Sequence, residues 1–418
     1  MEKLWALGIF VLVYGIILAG ERSPRKLDRP AAGLVGAVLV VLFGVLSRRE
    51  ALAAIDFGTL ALLFGMMVII HYATLSGLLD RVASRLVGGS RSAVHFLWVI
   101  AMSAGVLSAL FVNDTICLLM TPLVLHAVRR KHLPAEPYLL ALATSSNVGS
   151  LMTLTGNPQN MLIGQSSHWT WGTFSLRMVP IGLICLIVNG LVVSWIYRSQ
   201  LKGLAISNSG ESVDQDLALD RKLAAKTLVV LVGVLCAFVS GAPMDVAALA
   251  GAVAILVWAN VDPQKTFAAV DWSLLLFFAG LFVVVGGITK TESGWINQLV
   301  PFIADQHGTL ARLTLFSLGS VAGSNLFSNV PFVMLIRTVI PHLADAALFW
   351  LALAASSTLA GNLTLVGSVA NLIVAQGAKD EYPLTFGMFF RVGALSTTLT
   401  VAASILLLWL YASLGWAR

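Results

Sequence analysis

Four stretches in the first half of the chain reappear in the same order in the second half. GLVGAVLVVL at 33–42 resembles ALAGAVAILV at 248–257, and AIDFGTLALLFG at 54–65 resembles AVDWSLLLFFAG at 269–280. The separation between paired stretches stays nearly constant along the chain. An ordered repeat constrains the fold strongly, because both halves have to form the same structural unit.

The other two matches carry polar residues inside apolar surroundings. ALFVND at 109–114 resembles NLFSNV at 325–330. The longest match joins LALATSSNVGSLMTLTGNPQNMLI at 140–163 to LALAASSTLAGNLTLVGSVANLIV at 351–374. Polar residues at matching positions of both copies indicate a paired role for them. Together the matches predict a tandem duplication.

Apolar runs close to the ~20 residues that cross a bilayer recur throughout both halves. Hydrophobic residues make up 58% of the chain and charged residues only 11%, against about 25% charged in soluble proteins. The net charge of +6 comes from Lys and Arg in short loops between apolar runs. Such placement indicates membrane topology, so we expect no nucleic-acid partner.

The predicted fold is an all-α polytopic membrane protein made of two inverted repeats. The repeats are expected at 1–198 and 223–418, joined by a cytoplasmic linker at 199–222. Each would contain five spans and one re-entrant hairpin, at about 93–127 and 312–340. An odd number of spans inverts the second repeat relative to the first. Lys and Arg are concentrated in the loops that face the cytoplasm if both termini lie outside.

One span in each predicted repeat is interrupted by residues that disfavour a helix. TLTGNPQN at 153–160 and TLVGSVAN at 364–371 place glycine, proline or asparagine where an apolar helix should continue. Broken spans at matching positions of inverted repeats indicate a secondary transporter with its substrate site near the midplane. Pro122, Pro158 and Pro331 are expected to help end half-helices.

Asp114 is an acidic residue deep between apolar stretches on both sides. An ionised carboxylate there is costly, so Asp114 is a candidate proton-coupling or cation-binding group, and it could also cap the next half-helix. Asp56 and Asp271 each precede an apolar run and are interpreted as helix N-caps. Arg337 is expected to extend its side chain to the membrane surface.

Further polar residues cluster in the broken spans. Hydroxyl and amide groups in the stretch before each break could coordinate an ion or simply hold packed helices together, and the sequence leaves both readings open; they are Ser145, Ser146, Asn147, Ser356, Ser357 and Thr358. Amides at the breaks offer donors and acceptors to a substrate; they are Asn157, Gln159, Asn160, Asn362 and Asn371.

An intramembrane enzyme is the rival class, but the sequence contains no HExxH, no nucleotide-binding loop and no Gly-x-Ser-x-Gly elbow. We therefore expect no catalytic residue. Cys117, Cys185 and Cys236 lie in apolar segments without metal-ligand spacing, so no metal site is expected.

The stretches ALFVNDTICLLMTPLVL, TLTGNPQNMLIG and IDFGTLALLFGMMVII resemble the ion transporter superfamily. The resemblance spans nearly the whole chain and is closest to the arsenite/antimonite efflux permeases. It implies ten spans with two hairpins, elevator-type alternating access, and efflux of As(OH)3 or Sb(OH)3 driven by the proton gradient or the membrane potential. It implies no resident cofactor, with a proton or sodium as coupling ion.

The resemblance also implies a prokaryotic inner-membrane location, a cytosolic ATPase subunit for some members, and a second copy of the chain as a partner. Carried over to this sequence, the hairpin tips and broken spans supply the substrate- and ion-binding residues. These are Asn113, Asp114, Thr115, Ser145, Ser146, Asn147, Thr153, Thr155, Asn157, Gln159, Asn160, Ser328, Asn329, Ser356, Ser357, Asn362, Thr364 and Asn371.

Related carriers in the same superfamily offer two alternatives. Sodium-coupled dicarboxylate carriers show Ser-Asn-Thr at both tips, whereas here the tips read VND at 112–114 and SNV at 328–330. An acid at the first tip suits a neutral hydroxylated solute or a cation better than a dianion. The second broken span departs from the arsenite pumps, which keeps open an inorganic or organic anion permease. A sodium/proton antiporter using Asp114 is the other alternative.

Overall fold

The computed structural model describes the chain in several ranges. These are residues 1–19, 28–88, 92–167, 169–202, 204, 219–291 and 293–416. The predicted linker at 199–222 lies mostly outside them. The described ranges are built from α-helices joined by short turns and two short 3-10 segments, which confirms the all-α class.

The helices of the first half run from the N-terminus to the start of the predicted linker. They are α1 (Glu2–Ala19), α2 (Arg29–Leu42), α3 (Arg48–Ala54), α4 (Phe57–Leu75), α5 (Leu78–Gly88), α6 (Ala93–Leu110), α7 (Asn113–Arg130), α8 (Ala135–Ser150), α9 (Pro158–Ser166), α10 (Trp171–Ile196) and α11 (Arg198–Leu201).

The second half repeats this order, apart from the short α11. Its helices are α12 (Arg221–Val239), α13 (Met244–Trp258), α14 (Pro263–Ala268), α15 (Trp272–Thr291), α16 (Ser293–Ala304), α17 (Thr309–Phe327), α18 (Asn329–Ile336), α19 (Ala346–Ala360), α20 (Val369–Ala378) and α21 (Phe386–Ser413). The 3-10 segments are Ile340–His342 and Leu365–Gly367.

Helices at equivalent places in the two halves begin at equivalent residues for local reasons. The Asp56 carboxylate accepts the backbone N–H of Thr59 at 3.0 Å, which fixes the start of α4. The Asp271 carboxylate accepts the N–H of Leu274 at 2.9 Å and fixes the start of α15. Both aspartates are therefore N-caps, as the sequence predicted.

The two halves interlock by exchanging partners. Helix α2 packs against α15, and its equivalent α13 packs against α4. The equivalent glycines Gly65 and Gly280 make this close approach feasible. A Cβ at Gly65 would lie 2.6 Å from the carbonyl carbon of Ala248, and a Cβ at Gly280 would meet the backbone of Gly33. Each half thus packs its second helix against the fourth helix of the other half. The inversion of the two halves across a bilayer stays a prediction.

Within the described residues, six helices are long and apolar enough to cross a membrane. They are α4, α6, α10, α12, α15 and α21. Shorter apolar helices include residues 30–42 of α2, together with α13, α19 and α20. These lengths and compositions define a polytopic membrane protein.

The two predicted hairpins are present as antiparallel helix pairs, α6–α7 and α17–α18. The second tip is a single residue, Ser328, whose φ of 71° lies in the left-handed region. Pro158 begins α9 rather than ending a helix. Pro122 lies inside α7 and Pro331 inside α18, so the expectation that they end half-helices is wrong.

Candidate functional site

The first broken span is interrupted between Ser150, where α8 ends, and Pro158, where α9 begins. Asn157 caps α9, because its side-chain oxygen accepts the N–H of Asn160 at 2.8 Å. Gly156 is required here, since a Cβ at this residue would collide with the carbonyl oxygen of Ser150. The sequence GNPQN thus builds a sharp turn and a new helix start.

Asn160 and Asn371 close the two breaks in the same way. Each side-chain amide donates two hydrogen bonds to backbone carbonyls at the interruption, at 2.7–3.2 Å. The accepting carbonyls belong to Ser150, Thr153, Gly361 and Thr364. The amides supply hydrogen-bond donors to these carbonyls, which lipid cannot provide.

The first hairpin tip docks onto the first break. The backbone N–H of Asn113 donates to the carbonyl of Gly156 at 3.0 Å. The side-chain amide of Asn113 donates to the Asn147 oxygen at 2.9 Å. A residue at the start of α7 is therefore tied both to the turn and to the helix before it.

Asn147 lies at the centre of the polar network that connects both halves. Its oxygen accepts from Asn113 and from the Ser368 hydroxyl, each at 2.9 Å. Its amide donates to the side-chain oxygens of Asn362 and Asn371, also at 2.9 Å. All four hydrogen-bonding positions of this buried amide are satisfied.

Thr358 occupies the equivalent position in the second half. Its hydroxyl accepts from the amides of Asn157 at 3.2 Å and Gln159 at 3.4 Å. A threonine cannot reach as many partners as an asparagine. Consequently the oxygen of Asn160 is buried without a hydrogen-bond donor, whereas the equivalent oxygen of Asn371 accepts from Asn147.

A cavity of about 240 Å³ lies where the tips and breaks converge. The starts of α7, α9, α18 and α20 point into it, and helix N-termini carry partial positive charge. Two carboxylates, Asp114 and Asp271, line it, and the described lining residues include no Lys or Arg. The lining consists of Pro30, Asn113, Asp114, Pro158, Gln159, Asp271, Ser273, Leu274, Phe277, Phe278, Ser328, Asn329, Val330, Pro331, Gly367, Ser368 and Val369.

Buried side-chain oxygens without a partner recur at equivalent positions of the two hairpins. They are the amide oxygens of Asn113 and Asn329 and the hydroxyls of Ser108 and Ser324. Each Ser–Asn pair lies next to a hairpin tip. Buried polar atoms usually have partners, so these sets are places where a ligand atom or an ion could be accommodated.

The structure brings the sequence-predicted site residues together in two layers. Five line the cavity: Asn113, Asp114, Gln159, Ser328 and Asn329. Five amides form the network behind them: Asn147, Asn157, Asn160, Asn362 and Asn371. Direct contact with a substrate is therefore geometrically open to the first group.

The remaining predicted residues lie away from the cavity. Ser356 and Ser357 donate to carbonyls of their own helix, α19. Ser145 accepts from Asn189 at 2.9 Å, and Ser146 contacts the sulfur of Cys117. The others are Thr115 in the first turn of α7, Thr153 bonded to the Ala109 carbonyl, Thr155 bonded to Trp171, and Thr364 bonded to Asn325. Apart from the bonds within α19, these contacts join different segments of the chain.

Sequence reasoning missed several lining residues. Ser368 is equivalent to Asn157 in the repeat alignment, so the alignment could have identified it. Asp271 was interpreted only as a cap, although it also faces the cavity. The aromatic wall of Phe277 and Phe278 carried no signal, because phenylalanine is common in any apolar span.

Arg337 pairs with residues of the first half, and the expected position of its side chain at the membrane surface stays a prediction. Its guanidinium donates to the Asp56 carboxylate at 3.1 Å and to the Ser166 hydroxyl at 3.3 Å. The side chains of Arg337 and Asp56 are 22% and 20% exposed. The pair joins α18 of the second half to the start of α4 in the first half.

Crossed helix pairs, hairpin tips that meet helix breaks and a central polar cavity define a secondary transporter. Family comparison makes the assignment specific: residues 14–355 match the family described as Citrate transporter (CitMHS). The chain belongs to this family of membrane transporters, which is related to the arsenite permeases suggested by the sequence motifs.

Individual proteins agree with this assignment. The chain is 33% identical to the rice (Oryza sativa subsp. japonica) silicon efflux transporter LSI3, over 91% of this chain and 92% of that protein. It is 24% identical to a Dictyostelium discoideum protein that carries the name arsB, over 95% and 90%. The crystal structure of the Alcanivorax borkumensis YdaH transporter superposes with a TM-score of 0.57 at 15% identity, covering 99% of both chains, which shows a shared fold.

Proposed function

We propose that this transporter exports a small, uncharged, hydroxyl-rich solute, with arsenite and antimonite as As(OH)3 and Sb(OH)3 the first candidates. The observation that carries the proposal is the charge of the cavity lining. Asp114 and Asp271 face the cavity, and no Lys or Arg is among its described lining residues. A polyanion would meet these two carboxylates, whereas hydroxyl groups can donate to carboxylates and accept from helix N-termini.

Two relatives support a solute of this kind. The name of the rice protein refers to silicon efflux, and silicic acid is, like arsenous acid, a neutral hydroxide at neutral pH. The name arsB of the Dictyostelium protein points to arsenic. The elevator mechanism implied by the resemblance would move the hairpins and half-helices together, because the Asn113 amide and the Asn147 network tie them to each other.

A second candidate is an anion permease, and the family's description as citrate transporters favours it. The starts of four helices at one cavity also suit carboxylate groups. In this case the two aspartates would have to be protonated or screened by a cation that travels with the anion.

The coupling ion is proposed to be a proton carried by Asp114, which lies at the tip of the first hairpin and lines the cavity. Sodium is the alternative, and as a sodium/proton antiporter the protein would exchange the two ions at this tip. The partnerless oxygens beside both tips favour sodium, because hard cations prefer oxygen ligands. We further propose a prokaryotic inner membrane with both termini outside, a homodimer, and a cytosolic ATPase as partner in some settings.

The test is uptake of arsenite into everted vesicles or proteoliposomes with an imposed proton gradient, with sodium present or absent. Accumulation without sodium is expected. Silicic acid and antimonite are run in parallel as neutral solutes, and citrate and succinate as anions. Accumulation of citrate or succinate without arsenite or silicic acid would replace the proposal by the anion permease, and a strict sodium requirement would replace the proton.

Transport of sodium alone against protons would establish the antiporter. Vesicles prepared without the protein serve as the control. Uptake that persists in them would mean that the signal does not come from the site described above.

A further inference from the structure

The equivalent ends of α4 and α15 are in different surroundings. At the start of α4 the structure is closed: Thr59 is fully buried, and a Cβ at Gly58 would lie 3.0 Å from the side-chain oxygen of Gln165 in α9. Helix α4 packs along α9. Arg337 seals this end by bonding to Asp56 and Ser166.

The start of α15 is open. Asp271, equivalent to Asp56, is exposed and lines the cavity, and Leu274, equivalent to Thr59, lines it as well. The cavity occupies the space between α15 and the start of α20, where the other half has α4 packed on α9. The start of α4 is thus closed by packed side chains, whereas the start of α15 is open to the cavity.

The residues that could close the open half are different. The position equivalent to Arg337 is Thr121, and the position equivalent to Ser166 is Gly377. A Cβ at Gly377 would lie 3.0 Å from Cγ2 of Thr121. The hairpin helix therefore contacts the half-helix in both places, α18 with α9 and α7 with α20. Only α18 and α9 offer a guanidinium and a hydroxyl to the aspartate that caps the neighbouring helix.

We propose that the Arg337–Asp56 ion pair is a one-sided latch that favours the conformation in which the α4 end is closed. The inference rests on the proposed function, because a transporter with alternating access has to exchange the open and the closed half. In the exchanged conformation Asp271 would face Thr121 and Gly377, which cannot form an ion pair. The two conformations of the duplicated fold are consequently unequal in free energy.

The surroundings of the pair support a measurable effect. Both side chains are about four-fifths buried, so solvent screens the pair less than it screens a surface ion pair. The guanidinium also lies 5.2 Å from the ring centroid of Phe282 in α15, within the range of a cation–π contact. Loss of the pair is expected to shift the ratio of the two conformations by about fivefold, the ratio that ~1 kcal/mol represents.

The experiment compares the reactivity of a cysteine introduced at either of two equivalent positions, Thr59→Cys or Leu274→Cys, with a maleimide in lipid nanodiscs; the native Cys117 and Cys185 are buried. The exposed Cys236 is first replaced by serine. In the parent chain Cys at 274 should react and Cys at 59 should be protected. Arg337→Gln should raise the labelling rate at 59 about fivefold and lower that at 274.

Matched variants isolate the ion pair. Asp56→Asn keeps an oxygen that can cap α4 and removes the negative charge. If Arg337→Gln prevents folding, Arg337→Lys takes its place, because lysine keeps the positive charge. The double variant Arg337→Gln/Asp56→Asn should change labelling no more than either single variant, because both break one interaction. Arg312→Gln breaks the Arg312–Asp345 pair within the second half and should leave both rates unchanged.

Unchanged labelling in Arg337→Gln and Asp56→Asn, or additive changes in the double variant, would overturn the latch. Labelling needs no substrate, so the result is separate from the transport assay. Failure of arsenite uptake with the expected labelling shifts would count against the proposed function alone.

Discussion

The two broken spans share a backbone design and differ in the side chains that complete it. In the first, Asn157 caps α9 with its own side chain. In the second, the equivalent Ser368 makes no cap bond to α20 and instead donates to Asn147. The helix start at the first break is capped within its own half, whereas the equivalent serine at the second break bonds to the first half. The difference shows how a duplicated fold with two-fold packing acquires a site that is not symmetric.

The largest effect is expected from the glycines of the two breaks. Gly156→Ala should abolish folding and transport, because the new Cβ would overlap the Ser150 carbonyl. Gly367→Ala should be milder, since its Cβ would lie 3.0 Å from the nearest atom, the Gly361 oxygen, which a small shift can accommodate. Yield of monodisperse protein and arsenite uptake measure both. Equal tolerance at the two sites would contradict the tighter geometry of the first break.

Asn147 and Thr358 give the next largest contrast. Asn147→Ala removes four hydrogen bonds and leaves buried partners behind, so a loss of about 3 kcal/mol or more in the free energy of unfolding is expected. Thr358→Ala removes an acceptor of two longer bonds and should lose about 1 kcal/mol. Unfolding in a denaturing detergent series compares them. A larger loss at Thr358 would show that the centre of the network lies elsewhere.

Asp114 has no acidic equivalent, because the matching residue of the second tip is Val330. Asp114→Asn should leave folding intact and flatten the pH dependence of uptake, lowering the rate at least about tenfold under a proton gradient, equal to ~1.4 kcal/mol. Asp271→Asn is the matched control, since Asp271 also lines the cavity and asparagine can keep its cap. The coupling role fails if both variants keep the parent pH profile or lose it alike.

The smallest effect concerns the surface helices α3 and α14. Glu50 of α3 pairs with Lys290 of α15 at 2.7 Å, whereas Thr266 of α14 donates to the buried Tyr72 hydroxyl at 3.0 Å. The hydrogen bond from Lys290, followed by the N–H of Ser47, lowers the pKa of Glu50 from 4.5 to about 2. The pair thus stabilises the fold above about pH 4.5, and this contribution is lost as the pH falls toward 2.

Thermal midpoints at several pH values should separate the two contacts. Lys290→Gln should lower the midpoint slightly at neutral pH, and its difference from the parent should shrink below about pH 4.5. Thr266→Val should cost about 1 kcal/mol regardless of pH, because the contact joins two hydroxyl groups and involves no ion pair. If the difference in thermal midpoint between Lys290→Gln and the parent does not change with pH, the ion pair with Glu50 is not its cause.

The membrane class, the duplication and the location of the breaks could be predicted from the amino-acid sequence alone. A run of apolar residues indicates a segment that can be buried in lipid or protein. Glycine or proline inside such a run indicates a local change in backbone conformation. Asp56 and Asp271 were identified as caps for the same reason, since a cap bond reaches only three residues along the chain. Five of the eighteen candidate residues line the cavity, and the repeat alignment had paired two of them, Asn113 and Asn329.

Which polar residues face the cavity and which join helices depends on how the helices pack in three dimensions, and the sequence does not show it. Ser145, Ser356 and Asn371 are all polar residues of the broken spans, yet Ser356 bonds within its own helix, whereas Ser145 and Asn371 bond to helices far apart in the chain. The ion pair of Arg337 with Asp56 links residues from different halves, and no local pattern encodes it. Helix starts and breaks depend on neighbouring residues. Which of the starts of α4 and α15 is closed depends on long-range contacts that form only after both halves have packed.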